Sequence, residues 1–271
     1  MILNGKGMRP IFFISGLMGS GKSKVADIIK FRQYDVIKMD DYSKDFMLKS
    51  DECKIKLVKC FGKDVITDNG EIDIDFIKSQ YFNEKYTQKR ETFEEYLDYE
   101  LFLKIDEMKG LKPLFLEVPL FNIVRYNRLL FLFKPRLILN VSVDDNIRKD
   151  RLIYKRGLSE EHIAEREKLQ NIGEIEGVSE IYNIENNGTE EELFDKITDF
   201  FEFNLTKYVK EDEINEMFND YVEGKPEYLK KNMRCYVFYN SIGCARCPFP
   251  CSNSNKHFEE TIKRRNMKDI K

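Results

Sequence analysis

The eight residues Gly16-Leu17-Met18-Gly19-Ser20-Gly21-Lys22-Ser23 place three glycines, a lysine and a hydroxyl in the Gly-x4-Gly-Lys-Ser spacing. Such glycines let successive backbone N–H groups converge on phosphate oxygens at a positive helix terminus. Lys22 then reaches the β- and γ-phosphates of a nucleoside triphosphate, and the Ser23 hydroxyl ligates Mg²⁺. Gly16, Gly19, Ser20, Gly21, Lys22, Ser23 and Lys24 are therefore expected to hold ATP and magnesium. A kinase also needs a carboxylate beside the acceptor hydroxyl, and Asp40 is placed for that role or as the N-cap of a following helix. Glu117 is a second carboxylate, expected to order Mg²⁺ directly or through water. Arg151, Arg156 and Arg166 surround Gly157, a combination that suits a lid closing cationic forks over phosphates.

These groups act together only if the chain delivers them to one edge. Ile11 to Ser15 reads as a buried strand running into the glycine turn, and Val25, Ile28 and Ile29 recur at helical spacing after it. Asp35 to Met39 reads as a second strand ending at Asp40, and Leu114 to Val118, after Pro113, as a third ending at Glu117. Leu137 to Val143 and Ile181 to Glu185 complete the set. Helical patterns cover Tyr42 to Lys109, interrupted by the turn Asp68-Asn69-Gly70, then Asp144 to Gln170, broken at Gly157, and Glu190 to Phe203. Strands alternating with helices predict an α/β three-layer P-loop NTPase fold with a mainly parallel sheet. In such sheets ligands sit at the carboxyl ends of the strands, where the loop, Asp40 and Glu117 all fall. The division expected is a core of 1–41 and 111–205 with a lid over 144–170, a helical insertion of 42–110, and an extension of 206–271.

Composition narrows the class. The 271 residues are 42% hydrophobic and 34% charged, enough for a sizeable core. No apolar run approaches the ~18 residues of a membrane span, so no membrane partner is expected. The formal charge of -3 argues against a protein that coats nucleic acid along its whole length. Nothing marks secretion, and the compartment expected is the cytoplasm.

Taken together, these motifs resemble the dephospho-coenzyme A kinase family of P-loop kinases, relatives of the nucleoside monophosphate kinases. The resemblance runs from about Ile11 to Phe200. It rests on the P-loop with Val25-Ala26, Val36-Ile37 before Asp40, Phe61-Gly62 followed by Asp68-Asn69-Gly70-Glu71-Ile72-Asp73, and Val118-Pro119-Leu120-Phe121. It continues through Arg151-Leu152, Arg156-Gly157-Leu158-Ser159, Arg166, Gln170 and Ile184-Glu185-Asn186-Asn187-Gly188-Thr189. It implies ATP-dependent phosphorylation of the ribose 3′-hydroxyl of dephospho-CoA. Asp40 would take the proton, Arg151 and Arg156 would act from the lid, Asn186 would lie near the adenine of ATP, and the insertion would bind the acceptor. The chain departs from the family at Lys38, near Ile74, at Tyr99-Glu100 and at Asn122-Ile123. Those departures concentrate on the acceptor side, so a nucleoside monophosphate is the alternative acceptor. An ATP-binding regulatory module is the second alternative.

Beyond Thr206 the character changes. Cys235, Cys244, Cys247 and Cys251 gather among basic residues, and Cys-x2-Cys folds two thiolates toward one tetrahedral ion. A structural zinc is expected there, favoured over an iron–sulfur cluster. The basic and aromatic residues around it are also a candidate contact for nucleic acid or protein.

Overall fold

A computed structural model describes residues 9–32, 34–81, 84–108, 110, 112–119, 123–169, 180–210 and 213. The expected tail zinc ligands and the tail contact therefore lie outside the described residues.

The chain enters through strand β1 (Ile11–Ser15), and helix α1 (Lys22–Phe31) follows the glycine loop. After β2 (Asp35–Lys38) come four helices, α2 (Met39–Lys49), α3 (Asp51–Phe61), α4 (Ile74–Tyr81) and the long α5 (Thr87–Glu107). The chain then returns through β3 (Leu114–Glu117), α6 (Ile123–Phe133) and β4 (Leu137–Ser142). Next are α7 (Asp145–Asp150), a π-turn (Arg151–Lys155) and α8 (Glu160–Leu169), before β5 (Glu180–Glu185) and α9 (Glu190–Phe203).

Five strands form one sheet in the order β2-β3-β1-β4-β5, every pairing parallel. The sheet is α/β with helices on both faces, as the alternation of elements required. Because side chains alternate across a strand, β1 feeds both faces. Phe12 and Ile14 pack with Val25, Ile28 and Ile29 of α1 and with Leu193, Ile197, Phe200 and Phe201 of α9. Ile11 and Phe13 turn the other way, onto Leu101 and Ile105 of α5 and Tyr126, Leu129 and Phe133 of α6. Each such aromatic is worth about 3–5 kcal/mol against truncation to alanine.

The segment from α2 to α5 has a cluster of its own, with Cys53, Leu57, Phe61, Val65, Phe93 and Leu97 at its centre. Buried charge ties α5 to α6: Arg125 reaches Asp98 at 2.7 Å and Glu94 at 3.2 Å, and Arg128 reaches Asp98 at 2.7 Å. The helix α6 had no counterpart in the sequence reading. All five positions from Leu129 to Phe133 are apolar, a run that masks the helical spacing of the buried Tyr126, Leu129 and Phe133. The expected helix over 144–170 is also broken differently, by a π-turn before Gly157 rather than by the glycine alone.

Candidate active site

The glycine loop joins the buried end of β1 to α1, and α1 begins with neither a side-chain cap nor an acidic residue in its first turn. The contrast is α9, where Thr189 and Glu192 close a capping box and three glutamates crowd the first turn. The first N–H groups of α1 are thus left for an anion. Gly21 sets the entry: its φ of 101° is left-handed, and a Cβ there would lie 2.1 Å from Asn186 Nδ2.

Around this loop polar groups converge. Lys22 Nζ donates to the carbonyls of Gly16 at 2.8 Å and Leu17 at 3.2 Å. Ser23 Oγ donates to Glu117 Oε1 at 2.7 Å, joining the start of α1 to the end of β3. Burial pulls the Lys22 ammonium down to about 8; Glu117 and Asp40 oppose that shift, and Arg156 adds to it. Burial pushes the Glu117 carboxyl up, against the pull of Ser23, Lys22 and Lys38. Lys22, Glu117 and Asp40 therefore share one electrostatic neighbourhood at the carboxyl edge of the sheet.

Asp40 is exposed in the first turn of α2, where its charge favours the helix N-terminus. It is not the N-cap considered from sequence: Lys38 holds that position, because the helix starts at Met39. Lys38 pairs with Asp27 at 2.8 Å. Lys24 is turned outward, to Glu190 at 2.6 Å.

Asn186, just past β5, is buried under the loop and donates from Nδ2 to the Ser20 carbonyl at 2.7 Å. Its backbone carbonyl accepts from Arg151 Nη2 at 2.9 Å. Two buried atoms beside the loop, Ser20 Oγ and Arg151 Nη1, have no hydrogen-bond partner among the described residues. Phosphate oxygens are the acceptors such donors lack, and the donor set fits a nucleoside triphosphate. Arg156 is exposed, yet near enough to bear on Lys22. It caps a π-turn, whose i→i+5 bonding spaces it differently from a residue in a regular α-helix. Arg156 closes the π-turn that Arg151 opens. The side chain of Arg166 lies outside the described set.

On the acceptor side Tyr99 is 49% exposed and stacks on Phe102. Glu100, beside it, has its carboxyl pushed up by burial and by Glu52. Sequence reasoning missed Arg148, one of six charged residues among the eight from Asp144 to Arg151, where nothing marks one as buried. Its place three residues before Arg151 was the available signal. No group of three or more His, Cys, Asp or Glu able to hold a metal occurs among the described residues. No helix among them is long and apolar enough to cross a membrane.

A family model described as dephospho-CoA kinase matches residues 11–192. A dephospho-CoA kinase of Enterococcus faecalis is 24% identical over 203 residues, spanning 74% of this chain and 100% of its own. Another, from Chlamydia pneumoniae, is 28% identical over 197 residues, spanning 69% of this chain and 93% of its own. The fold is shared with a Thermus thermophilus protein of known crystal structure, at TM-score 0.53 and 21% identity, over 69% of this chain and 93% of that one.

Proposed function

The chain belongs to the dephospho-CoA kinase family, and we propose that it transfers the γ-phosphoryl group of ATP to the ribose 3′-hydroxyl of dephospho-CoA with Asp40 receiving the hydroxyl proton. It is an ATP-dependent phosphotransferase. The observation that carries the residue assignment is the convergence of Lys22, Ser23, Glu117 and Asp40 at one sheet edge.

Each group has a task there. The loop N–H groups and Lys22 hold the β- and γ-phosphates, which fixes the donor for in-line transfer. Ser23 and Glu117 would hold magnesium, which when bound would neutralise the charge of the phosphates. Arg151, its Nη2 anchored on Asn186, offers Nη1 to a phosphate oxygen, and Arg156 adds charge from the π-turn. Asp40, in the first turn of α2, serves as the base. Asn186 braces the loop through Ser20 and holds Arg151 through its carbonyl, at the place where the adenine of ATP is expected. The helices of 42–110 form the acceptor side, a role supported by their separate cluster and their attachment beside Glu117 through α5 and α6. A cytoplasmic setting and a zinc site at Cys235, Cys244, Cys247 and Cys251 complete the proposal, the zinc supported by cysteine spacing.

The test is ADP release with ATP and magnesium in the presence of dephospho-CoA or of each nucleoside monophosphate. Turnover with dephospho-CoA alone is expected. Turnover confined to a nucleoside monophosphate would replace the acceptor, and release independent of any acceptor would favour the regulatory module.

A further inference from the structure

One buried cation at the base of the lid has no part in the chemistry above. Arg148, on α7, is 3% exposed. Its Nε donates to Asp145 Oδ1 at 3.1 Å, and its Nη2 donates to the same carboxylate and to Glu167 Oε1 on α8. Its Nη1 donates to the Met18 carbonyl of the glycine loop at 3.5 Å. A single guanidinium thus touches both helices of the lid and the phosphate loop.

Apolar contacts follow the same seam. Met18, Leu152 and Ile163 form a cluster with Ile153 and Leu158. Gly19 lies so close beneath that an added Cβ would stand 2.9 Å from Leu152 Cγ and 3.2 Å from Arg148 Cγ. The loop is gripped twice, by Arg148 at Met18 and by Asn186 at Ser20. Arg151 follows three residues after Arg148 and is fastened to the second grip.

Burying a guanidinium is a poor way to gain stability, since apolar residues of like volume serve as well or better. What the planar fork provides is direction, because its donors leave at fixed angles toward several partners. We propose that Arg148 is a positioning residue for phosphoryl transfer: by joining Glu167 and the Met18 carbonyl, it sets the π-turn where Arg151 and Arg156 reach the phosphates of ATP. The inference rests on the kinase reading, and concerns how the lid arginines are aimed rather than what they bind.

Glu167→Gln is the mild probe, because Arg148 keeps Asp145 as a carboxylate partner and Glu167 is partly exposed. Misplacement of a positioning group by about 1 Å costs up to roughly 10²-fold. Glu167→Gln and Arg148→Met should therefore lower kcat by roughly 10–100-fold, with KM for dephospho-CoA unchanged. Arg148→Lys should not restore it, since an ammonium lacks the fork. The decisive readout is a cycle with Arg156→Ala, whose side chain is exposed. If Glu167 acts by aiming the lid arginines, Glu167→Gln should cost much less in the Arg156→Ala background than in the wild type. An equal loss in both backgrounds would overturn the proposal, because a merely structural defect is additive. So would wild-type kcat in both Glu167→Gln and Arg148→Met. Absence of transfer to dephospho-CoA by the unmutated chain would instead defeat the kinase reading itself.

Discussion

Nucleotide binding should draw a proton onto Lys22, and the structure sets the pH at which this shows. Burial holds its ammonium near a pKa of about 8, below the ordinary lysine value of 10.5. Phosphate oxygens favour the charged form and should return the pKa to the ordinary value or above. The free chain is then mostly deprotonated at Lys22 at pH 9 while the complex stays protonated, so binding takes up about 0.9 proton at pH 9 and about 0.1 at pH 7. Affinity should fall as pH rises above 8, by up to about tenfold per unit until the bound pKa is reached. The full span is worth at most about 3 kcal/mol, and partial contact of Lys22 with water reduces it. The sign for stability is opposite to that of a paired lysine. The charged ammonium is a burden on the nucleotide-free fold below about pH 8. That burden is relieved between about 8 and 10.5, where the unfolded chain binds more protons. Calorimetric titration of Mg-ATP in buffers of different ionisation enthalpy, at pH 7 and pH 9, counts the protons directly. Lys22→Met should lose the uptake and raise the Tm of the nucleotide-free chain at pH 7. Equal, near-zero uptake at both pH values in the unmutated chain would refute the reasoning.

Three further outcomes follow from the geometry. Glu117→Gln keeps a partner for Ser23 but removes the carboxylate, so the magnesium concentration for half-maximal rate should rise and kcat should fall by roughly 10²-fold, read in a magnesium titration of turnover. Asn186→Ala strands the buried Ser20 carbonyl at a cost of about 1–3 kcal/mol, which thermal unfolding should report as a drop of several degrees. Deleting Tyr154, which is 82% exposed within the π-turn, should turn i→i+5 bonding into i→i+4 and leave Arg156 one helical turn after Arg151. Turnover should then stay within about tenfold of the unmutated chain, whereas loss as deep as that of Arg156→Ala would show that the extra residue is needed where it stands.

Elements with strong local signals were legible before the fold was known. The bounds of β1 coincide with the apolar run Ile11 to Ser15, which is buried on both faces and has no competing period. The bounds of α9 coincide with the pattern that follows Thr189, because the capping box is written in residues three apart. The sheet edge that unites Lys22, Asp40 and Glu117 was legible too, since parallel strands point their carboxyl ends one way. What escaped was set by tertiary contact. In α6 the buried Tyr126, Leu129 and Phe133 do share a face, but exposed Val124 and Phe131 add apolar residues to the solvent side and blur it. The π-turn sets Leu152 against Gly19, and no residue type announces it. Arg148 looks like any surface arginine until α8 folds back to supply Glu167.

If Asp40 and the glycine loop act as proposed, together they place one phosphate on one hydroxyl. Phosphorus NMR of the reaction of ATP, magnesium and dephospho-CoA reads both the rate and the position of transfer. The account predicts ADP and a new phosphomonoester on the ribose 3′ carbon, formed by Asp40→Asn at a rate roughly 10²–10⁴-fold lower with ATP affinity nearly unchanged. The same product appearing at an undiminished rate in Asp40→Asn, or the phosphate appearing on any other oxygen, would contradict it.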